Sequence, residues 1–237
     1  MTRASEVERL AADVRRALEA LAAEHGVDAR DLRVRAAAID AEARFAHAAE
    51  ERVVAGAVPA RRREFATGRR IAHEILGELG RPAAPLVPGR RRAPDWPAGV
   101  AGSISHAQGL ALVAVAPRPP FAAIGLDVEG ADELSPALIG AVLTARERER
   151  LAGAGGSLGA WAKLAFCAKE CAYKAWSPTL EAVPEFSDVE IEFHAGGASF
   201  AARLVPRAGA FDAERTLRGR CARGDGRVWA AALEIGR

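Results

Sequence analysis

Asp127 and Glu129 stand two residues apart in IGLDVEG (124–130), and chemistry can first be read there. If the segment is a strand, alternation sends Ile124, Leu126 and Val128 to one face and Gly125, Asp127 and Glu129 to the other. The two carboxylates then lie about 7 Å apart, at two residues of strand rise. Two like charges beside an apolar strand are costly unless a cation sits between them. Oxygen-only ligands with room for water favour magnesium over zinc. The flanking Gly125 and Gly130 leave room for something to approach the backbone. The plainer reading is a solvated polar face, because an acid pair on an exposed edge is common.

A second set of charges lies in FCAKECAYKAW (166–176), which reads as a mostly apolar helix. Of 33 lysine and arginine residues, the lysines are only Lys163, Lys169 and Lys174, all in this one helix. Elsewhere the chain uses arginine, so a compact ammonium has a particular use here. At about 100° per residue, Lys163, Glu170 and Lys174 fall within one narrow arc. Trp161, Leu164, Ala168, Cys171, Ala172 and Ala175 form the opposite side. Glu170 and Lys174 at i,i+4 could be a surface ion pair worth about 0.2–0.5 kcal/mol. That reading predicts a broad charged face, whereas the pattern is a single polar slot, suited to a metal and a phosphate. Lys169 points to another side, where its long stem either reaches a phosphate or snorkels.

Two further segments carry candidate groups. GSISHA (102–107) places His106 in a turn before a strand, and its donor nitrogen could bind an anion. The segment ARRREFATGRR (60–70) crowds Arg61, Arg62, Arg63, Arg69 and Arg70, and GRRR (89–92) follows in a loop. Arg61 and Arg69, eight apart, lie close to one helix face. Guanidinium forks suit phosphate monoesters, although arginine runs are usually just solvated. No Gly-Lys-Ser/Thr loop is present to cradle a nucleotide.

Elements must position these groups. Residues 5–24 read as an amphipathic helix with Val7, Leu10, Val14, Leu18 and Leu21 on one face. A strand is expected at 32–39, helical pattern from Glu50 to Gly80, and a Pro- and Arg-rich loop over 81–99. Strands follow at 110–116 and 123–129, then helices from 135 and the helix from about Ala160 to Trp176. The C-terminal part alternates as four strands, DVEIEF, ASFAARLV, RTLRGRCA and RVWAAALEI. This order describes two α+β halves meeting near residues 117–123.

With 237 residues, 50% of them hydrophobic, the chain can bury a substantial core. A net charge of +2 argues for neither a nucleic-acid nor a membrane partner. Cys167, Cys171 and Cys221 make an odd count without a second zinc-type pair, and are read as buried thiols. The N-terminal stretch lacks an apolar h-region, and no run of about 18 apolar residues could span a bilayer. A cytoplasmic location is therefore expected.

In order, RRREFATGRR, PDWPAGVAGSISH, IGLDVEG and FCAKECAYKAW resemble the 4′-phosphopantetheinyl transferase superfamily. The likeness is to its Sfp-type branch, and within that to the enterobactin-synthetase-component-D-like group. The family signature is D-x-E followed by F/W-x-x-K-E-x-x-x-K, here about forty residues apart. It runs from about Glu50 to the C-terminus, including TLRGR near the end, and leaves the first thirty or so residues outside.

The resemblance implies an α+β fold of two similar halves related by a pseudo-two-fold axis, with the active site at their interface. The implied division is an N-terminal helical extension at 1–30, a first half at 31–119 and a second at 120–237. It implies transfer of the 4′-phosphopantetheine arm of coenzyme A to a serine of an apo acyl, peptidyl or aryl carrier protein, releasing adenosine 3′,5′-bisphosphate. Asp127, Glu129 and the main chain or a water at Val128 would hold Mg²⁺, with Glu170 as a third ligand or as the base taking the serine proton. Lys174 and Lys169 would neutralise the pyrophosphate. Arg61, Arg69 and His106 would bind coenzyme A, chiefly its 3′-phosphate region. Related sequences often have a basic residue where this chain has Pro88, and Arg90, Arg91 or Arg92 would compensate, Arg91 being taken as the contact. Family analogy also implies a monomer. The competing reading keeps the same acids in a Mg²⁺-dependent phosphohydrolase or nuclease.

Overall fold

The computed structural model describes residues 3–81, 84–89, 92–207, 211 and 214–236. It is an α+β protein with two antiparallel sheets, one of three strands in the order β1-β3-β2 and one of five in the order β4-β8-β7-β6-β5. The first sheet comprises β1 (Arg33–Ala38), β2 (Val100–Ala107) and β3 (Leu110–Pro117). The second comprises β4 (Phe121–Gly130), β5 (Val189–His194), β6 (Ser199–Leu204), β7 (Arg215–Gly224) and β8 (Arg227–Ile235). The helices are α1 (Arg3–Glu24), α2 (Ala48–Val53), α3 (Pro59–Glu78), α4 (Pro136–Val142), α5 (Ala145–Ala152) and α6 (Leu158–Trp176).

Leu110 to Ala116 form an uninterrupted apolar run because β3 is covered on both faces. Ala111, Val113 and Val115 pack on Ile71, Ile75 and Leu76 of α3. Leu110, Leu112, Ala114 and Ala116 pack on Leu18 and Leu21 of α1 and on Ile124, Leu126 and Val128 of β4. The five apolar positions expected of the first helix are all buried. Through them α1 reaches β1 of one sheet and β8 of the other.

The other face of β4 lies under α6. A Cβ on Gly125 would stand 2.2 Å from the carbonyl oxygen of Cys171. The room left at Gly125 therefore belongs to the helix backbone rather than to a ligand, and at Gly130 it belongs to the side chain of Gln108. The three cysteines are free and buried, and burial pushes the Cys221 thiol up to about 12.

Two expectations need correcting. The stretch from Glu50 to Gly80 is two helices, α2 and α3, broken between Val54 and Val58 with Pro59 opening the second. GSISHA is not a turn but most of β2, paired residue for residue with β3. Its Gly102 admits the ring of Trp96, which a Cβ there would meet at 2.6 Å. Among the described residues no helix is long and apolar enough to cross a membrane.

Candidate active site

Three elements meet where β4 passes beneath α6. The crossing is close because Gly125 and a run of small residues, Cys167, Ala168, Cys171, Ala172 and Ala175, let strand and helix backbones approach. Lys174, one turn after Glu170, then reaches across to Asp127, with Nζ 2.6 Å from Oδ1. Ser105 of β2 closes the junction. Its hydroxyl donates to Asp127 Oδ1 at 2.8 Å, and it accepts from Lys174 Nζ at 3.0 Å. The Val128 N–H also points to that hydroxyl oxygen, 3.3 Å away, while the Val128 side chain is buried in the core.

The remaining acids share this field. Lys163 Nζ lies 3.6 Å from Glu129 Oε2, so a second lysine of the arc pairs with the second acid. Burial, and then the charge of Asp127, push the Glu129 and Glu170 carboxyls above the usual range. Burial opposes the charge on Lys174, but Asp127, by proximity and by hydrogen bond, and then Glu170 leave it above the ordinary lysine value. Asp127 Oδ2 is buried and has no hydrogen-bond partner among the described residues. Also among the described residues, no three histidine, cysteine or acidic side chains close around one point as a ready metal site. Of the acids expected to do so, Asp127 is paired with Lys174 and Glu129 with Lys163.

Beside this junction a groove of about 380 Å³ runs past Glu170, lined by Ala141, Tyr173, Val183, Phe186 and Val189. Lys169 also borders it, but its ammonium is not directed at a ligand. It is 2% exposed, and its three protons go to Glu147 Oε2 at 2.8 Å, the Val142 carbonyl at 2.7 Å and the Phe186 carbonyl at 2.8 Å. All three donors of an ammonium are thereby satisfied inside the protein. The expectation that Lys169 binds the pyrophosphate is corrected: it ties α4, α5 and the turn at Phe186–Asp188 to α6. Burial still pulls its pKa below the ordinary lysine value, against the charge of Glu147.

On the other side of Ser105, His106 meets Arg61 of α3 through its Nε2, and Glu64 lies 3.6 Å from its Nδ1. Burial, then the Arg61 charge, hold His106 below its usual pKa. Arg69, one face of α3 further along, is 6% exposed and lies over the Phe65 ring at 4.2 Å. Burial pulls its pKa down to about 10, with Glu50 opposing and Arg61 adding to the fall. Arg62 is turned to the carbonyls of Val54 and Ala55 and to Glu51, and Arg70 to Glu74. Arg91, like Arg90, lies outside the described residues. The sequence does not point to Ser105 or Glu64, and it places Lys163 in the polar slot without showing that it pairs with Glu129. The signals available were the serine beside His106, the position of Lys163 on the Glu170–Lys174 arc, and the 61/64 spacing on α3.

An α+β protein that sets a carboxylate–lysine junction next to an arginine–histidine cluster is equipped to hold and cleave an anionic, phosphate-bearing substrate. The kinship of the chain agrees. Residues 49–116 match the 4′-phosphopantetheinyl transferase N-terminal domain family, and residues 123–226 match the 4′-phosphopantetheinyl transferase superfamily. The chain is 40% identical over 179 residues to 4′-phosphopantetheinyl transferase Svp of Streptomyces mobaraensis, covering 74% of this chain and 73% of that protein. It is 34% identical over 158 residues to 4′-phosphopantetheinyl transferase PptT of Mycobacterium tuberculosis, covering 67% and 70%. With enterobactin synthase component D of Escherichia coli K12 it shares 40% identity over 117 residues, covering 48% and 54%. The chain belongs to the 4′-phosphopantetheinyl transferase superfamily. These relatives do not favour the phosphohydrolase or nuclease alternative.

Proposed function

We propose that this protein transfers the 4′-phosphopantetheine of coenzyme A to a serine of an apo carrier protein and releases adenosine 3′,5′-bisphosphate. The observation that carries the reading is the Lys174–Asp127–Ser105 junction. Through it, the D-x-E strand, the K-E-x-x-x-K helix and the strand bearing His106 meet in one place.

The roles follow from position. Arg61, Arg69 and His106 take the 3′-phosphate end of coenzyme A, where guanidinium forks and a ring nitrogen offer donors to a phosphate. Lys174 sits where the pyrophosphate would lie against Asp127 and neutralises charge growing on the departing oxygen. Glu170, beside the groove, takes the proton of the carrier serine as its oxygen attacks the phosphorus bearing pantetheine. The bond from that phosphorus to the bridging oxygen breaks, and the nucleotide bisphosphate leaves with the electron pair. The weakly charged pantetheine arm suits the largely apolar groove lined by Tyr173, Val183 and Phe186.

The residues also fit Mg²⁺. Among the described residues Asp127 keeps one buried oxygen without a donor, Glu129 and Glu170 stand in its field, and all the candidate ligands are oxygens. Asp127, Glu129, Glu170 and the main chain at Val128 would hold the ion, which supplies Lewis-acid neutralisation of the pyrophosphate. Binding it requires Lys174 and Lys163 to give up part of their contact with the acids.

We further assign residues 31–119 and 120–237 to two halves related by a pseudo-two-fold axis, with the site between them and the segment 1–30 as an extension. In support, each sheet carries one long helix on a face, α3 on the first and α6 on the second. Incubating the protein with an apo carrier, coenzyme A and Mg²⁺ and measuring the intact mass of the carrier tests the activity. Addition of one phosphopantetheine is expected. An unchanged carrier mass across acyl, peptidyl and aryl carriers overturns the proposal.

A further inference from the structure

Leu86 is held at both ends of its backbone by buried charged side chains. Glu50 Oε1 accepts its N–H at 2.8 Å, and Arg69 Nε donates to its carbonyl at 2.7 Å. Glu50 is 0% exposed and Arg69 6%, so neither charge is there merely to meet water. His73 adds a third contact, with Nε2 2.7 Å from the same Glu50 oxygen. A carboxylate only accepts, so that ring nitrogen carries the proton. Among the described residues Glu50 Oε2 has no hydrogen-bond partner, and Glu50 is the anion whose charge steadies Arg69.

Two features of the site depend on this clamp. Arg61 meets His106 and its charge is felt at Arg69, so the three basic groups are neighbours and the Arg69 fork is one of them. Leu86 also adjoins the pairing of Val87 with Asp95 and of Gly89 with Ala93, with Asp95 N–H to the Val87 carbonyl at 2.9 Å and Gly89 N–H to the Ala93 carbonyl at 2.8 Å.

We propose that Glu50 is a positioning residue for the 3′-phosphate of coenzyme A. With His73 it fixes Leu86 and balances Arg69, so that the Arg69 fork, with Nε engaged by Leu86, presents its terminal nitrogens to the phosphate. The inference rests on the transferase reading above. Glu50 touches neither substrate nor the reacting atoms and works through Arg69. A buried hydrogen-bonded ion of this kind is costly to perturb from one side.

The test compares coenzyme A with 3′-dephospho-coenzyme A, by Kd in calorimetry and by KM in the carrier assay. Wild type is expected to prefer coenzyme A. In Glu50→Gln, a near-isosteric change, the Kd and KM for coenzyme A rise about tenfold. Values for the dephospho compound and kcat stay within about twofold, as the loss concerns one phosphate contact. A merely structural role would weaken both ligands alike, and that result overturns the proposal. So does an unchanged preference in Glu50→Gln, or a wild type that binds both ligands equally. His73→Gln keeps the Glu50 charge and loosens the clamp. A drop of about threefold in the preference is expected there, and the same comparison in this variant decides if Glu50→Gln does not fold. Wild type that leaves every carrier unmodified overturns the transferase reading, while the Kd comparison, which needs no turnover, still decides the role of Glu50.

Discussion

Lys174 and Asp127 meet at 2.6 Å where α6 crosses β4, and Ser105 of β2 bonds to both, so a single contact ties the helix signature to the strand signature. Replacing Asp127 with Asn keeps the shape and removes the charge. Transfer is expected to fall by about 10²–10³ in kcat, the scale for losing one preorganised electrostatic contact. Thermal unfolding and circular dichroism should show the variant folded. Turnover at the wild-type rate would remove Asp127 from the reaction.

Lys169 predicts the opposite pattern. Its ammonium is spent on Glu147 and two backbone carbonyls, so Lys169→Met strands Glu147 in the core. A loss of about 3–5 kcal/mol in unfolding free energy is expected. Coenzyme A affinity in the folded fraction should stay within about twofold of wild type, whereas Lys174→Met should weaken it. Equal loss of affinity in the two variants would return Lys169 to the pyrophosphate.

Residues whose faces are set by local periodicity could be read from the chain, and residues defined by a distant partner could not. The period of two put Asp127 and Glu129 on one face of β4, and helical spacing put Lys163, Glu170 and Lys174 on one arc. Both patterns are reproduced in the fold. The same helical spacing sent Lys169 elsewhere but could not show that Glu147, on another helix, waits there. β2 is not legible in the sequence because Gly102, Ser103 and Ser105 have weak strand propensity. Tertiary context overrides it: Trp96 packs over Gly102, and Ser105 is buried as the bridge between lysine and acid. The first helix was legible as amphipathic, yet only the packing reveals that its apolar face covers elements of both sheets.

His106 gives a pH signature. Burial and then Arg61 keep its folded pKa below the ordinary value of 6.5, so the ring is neutral at pH 7. Unfolded chain takes up this proton as pH falls through about 6.5 while folded protein resists it, so the contribution of His106 to stability is present above that pH and lost below it. A 3′-phosphate beside the ring would counter Arg61 and raise the pKa. Coenzyme A binding should then draw a proton onto His106 and tighten as pH falls from about 8 toward 6. Calorimetry in buffers of different ionisation enthalpy measures the uptake. The difference between wild type and His106→Asn isolates it from the phosphate's own titration, and a zero difference would take His106 out of the phosphate site.

The crossing of α6 over β4 depends on the absence of a side chain at Gly125. An added methyl would sit 2.2 Å from the Cys171 carbonyl oxygen and 3.1 Å from the Ala175 Cβ. Backbone cannot rotate away as a side-chain tip would, so α6 must shift off the strand. Gly125→Ala is expected to cost about 1–3 kcal/mol or more as overpacking. Because Glu170 and Lys174 ride on that helix, a displacement of about 1 Å should also lower kcat by about 10²-fold in the protein that remains folded. Binding of coenzyme A through Arg61 and Arg69, carried on α3, should survive. Gly140→Ala is the control. Its methyl, on α4, meets only the tip of Arg148 of α5, at 3.5 Å, and neither turnover nor folding should suffer. If Gly125→Ala loses stability yet keeps full turnover, the spacing of helix and strand is needed for the fold alone, and the Lys174–Asp127 contact is not what sets the rate.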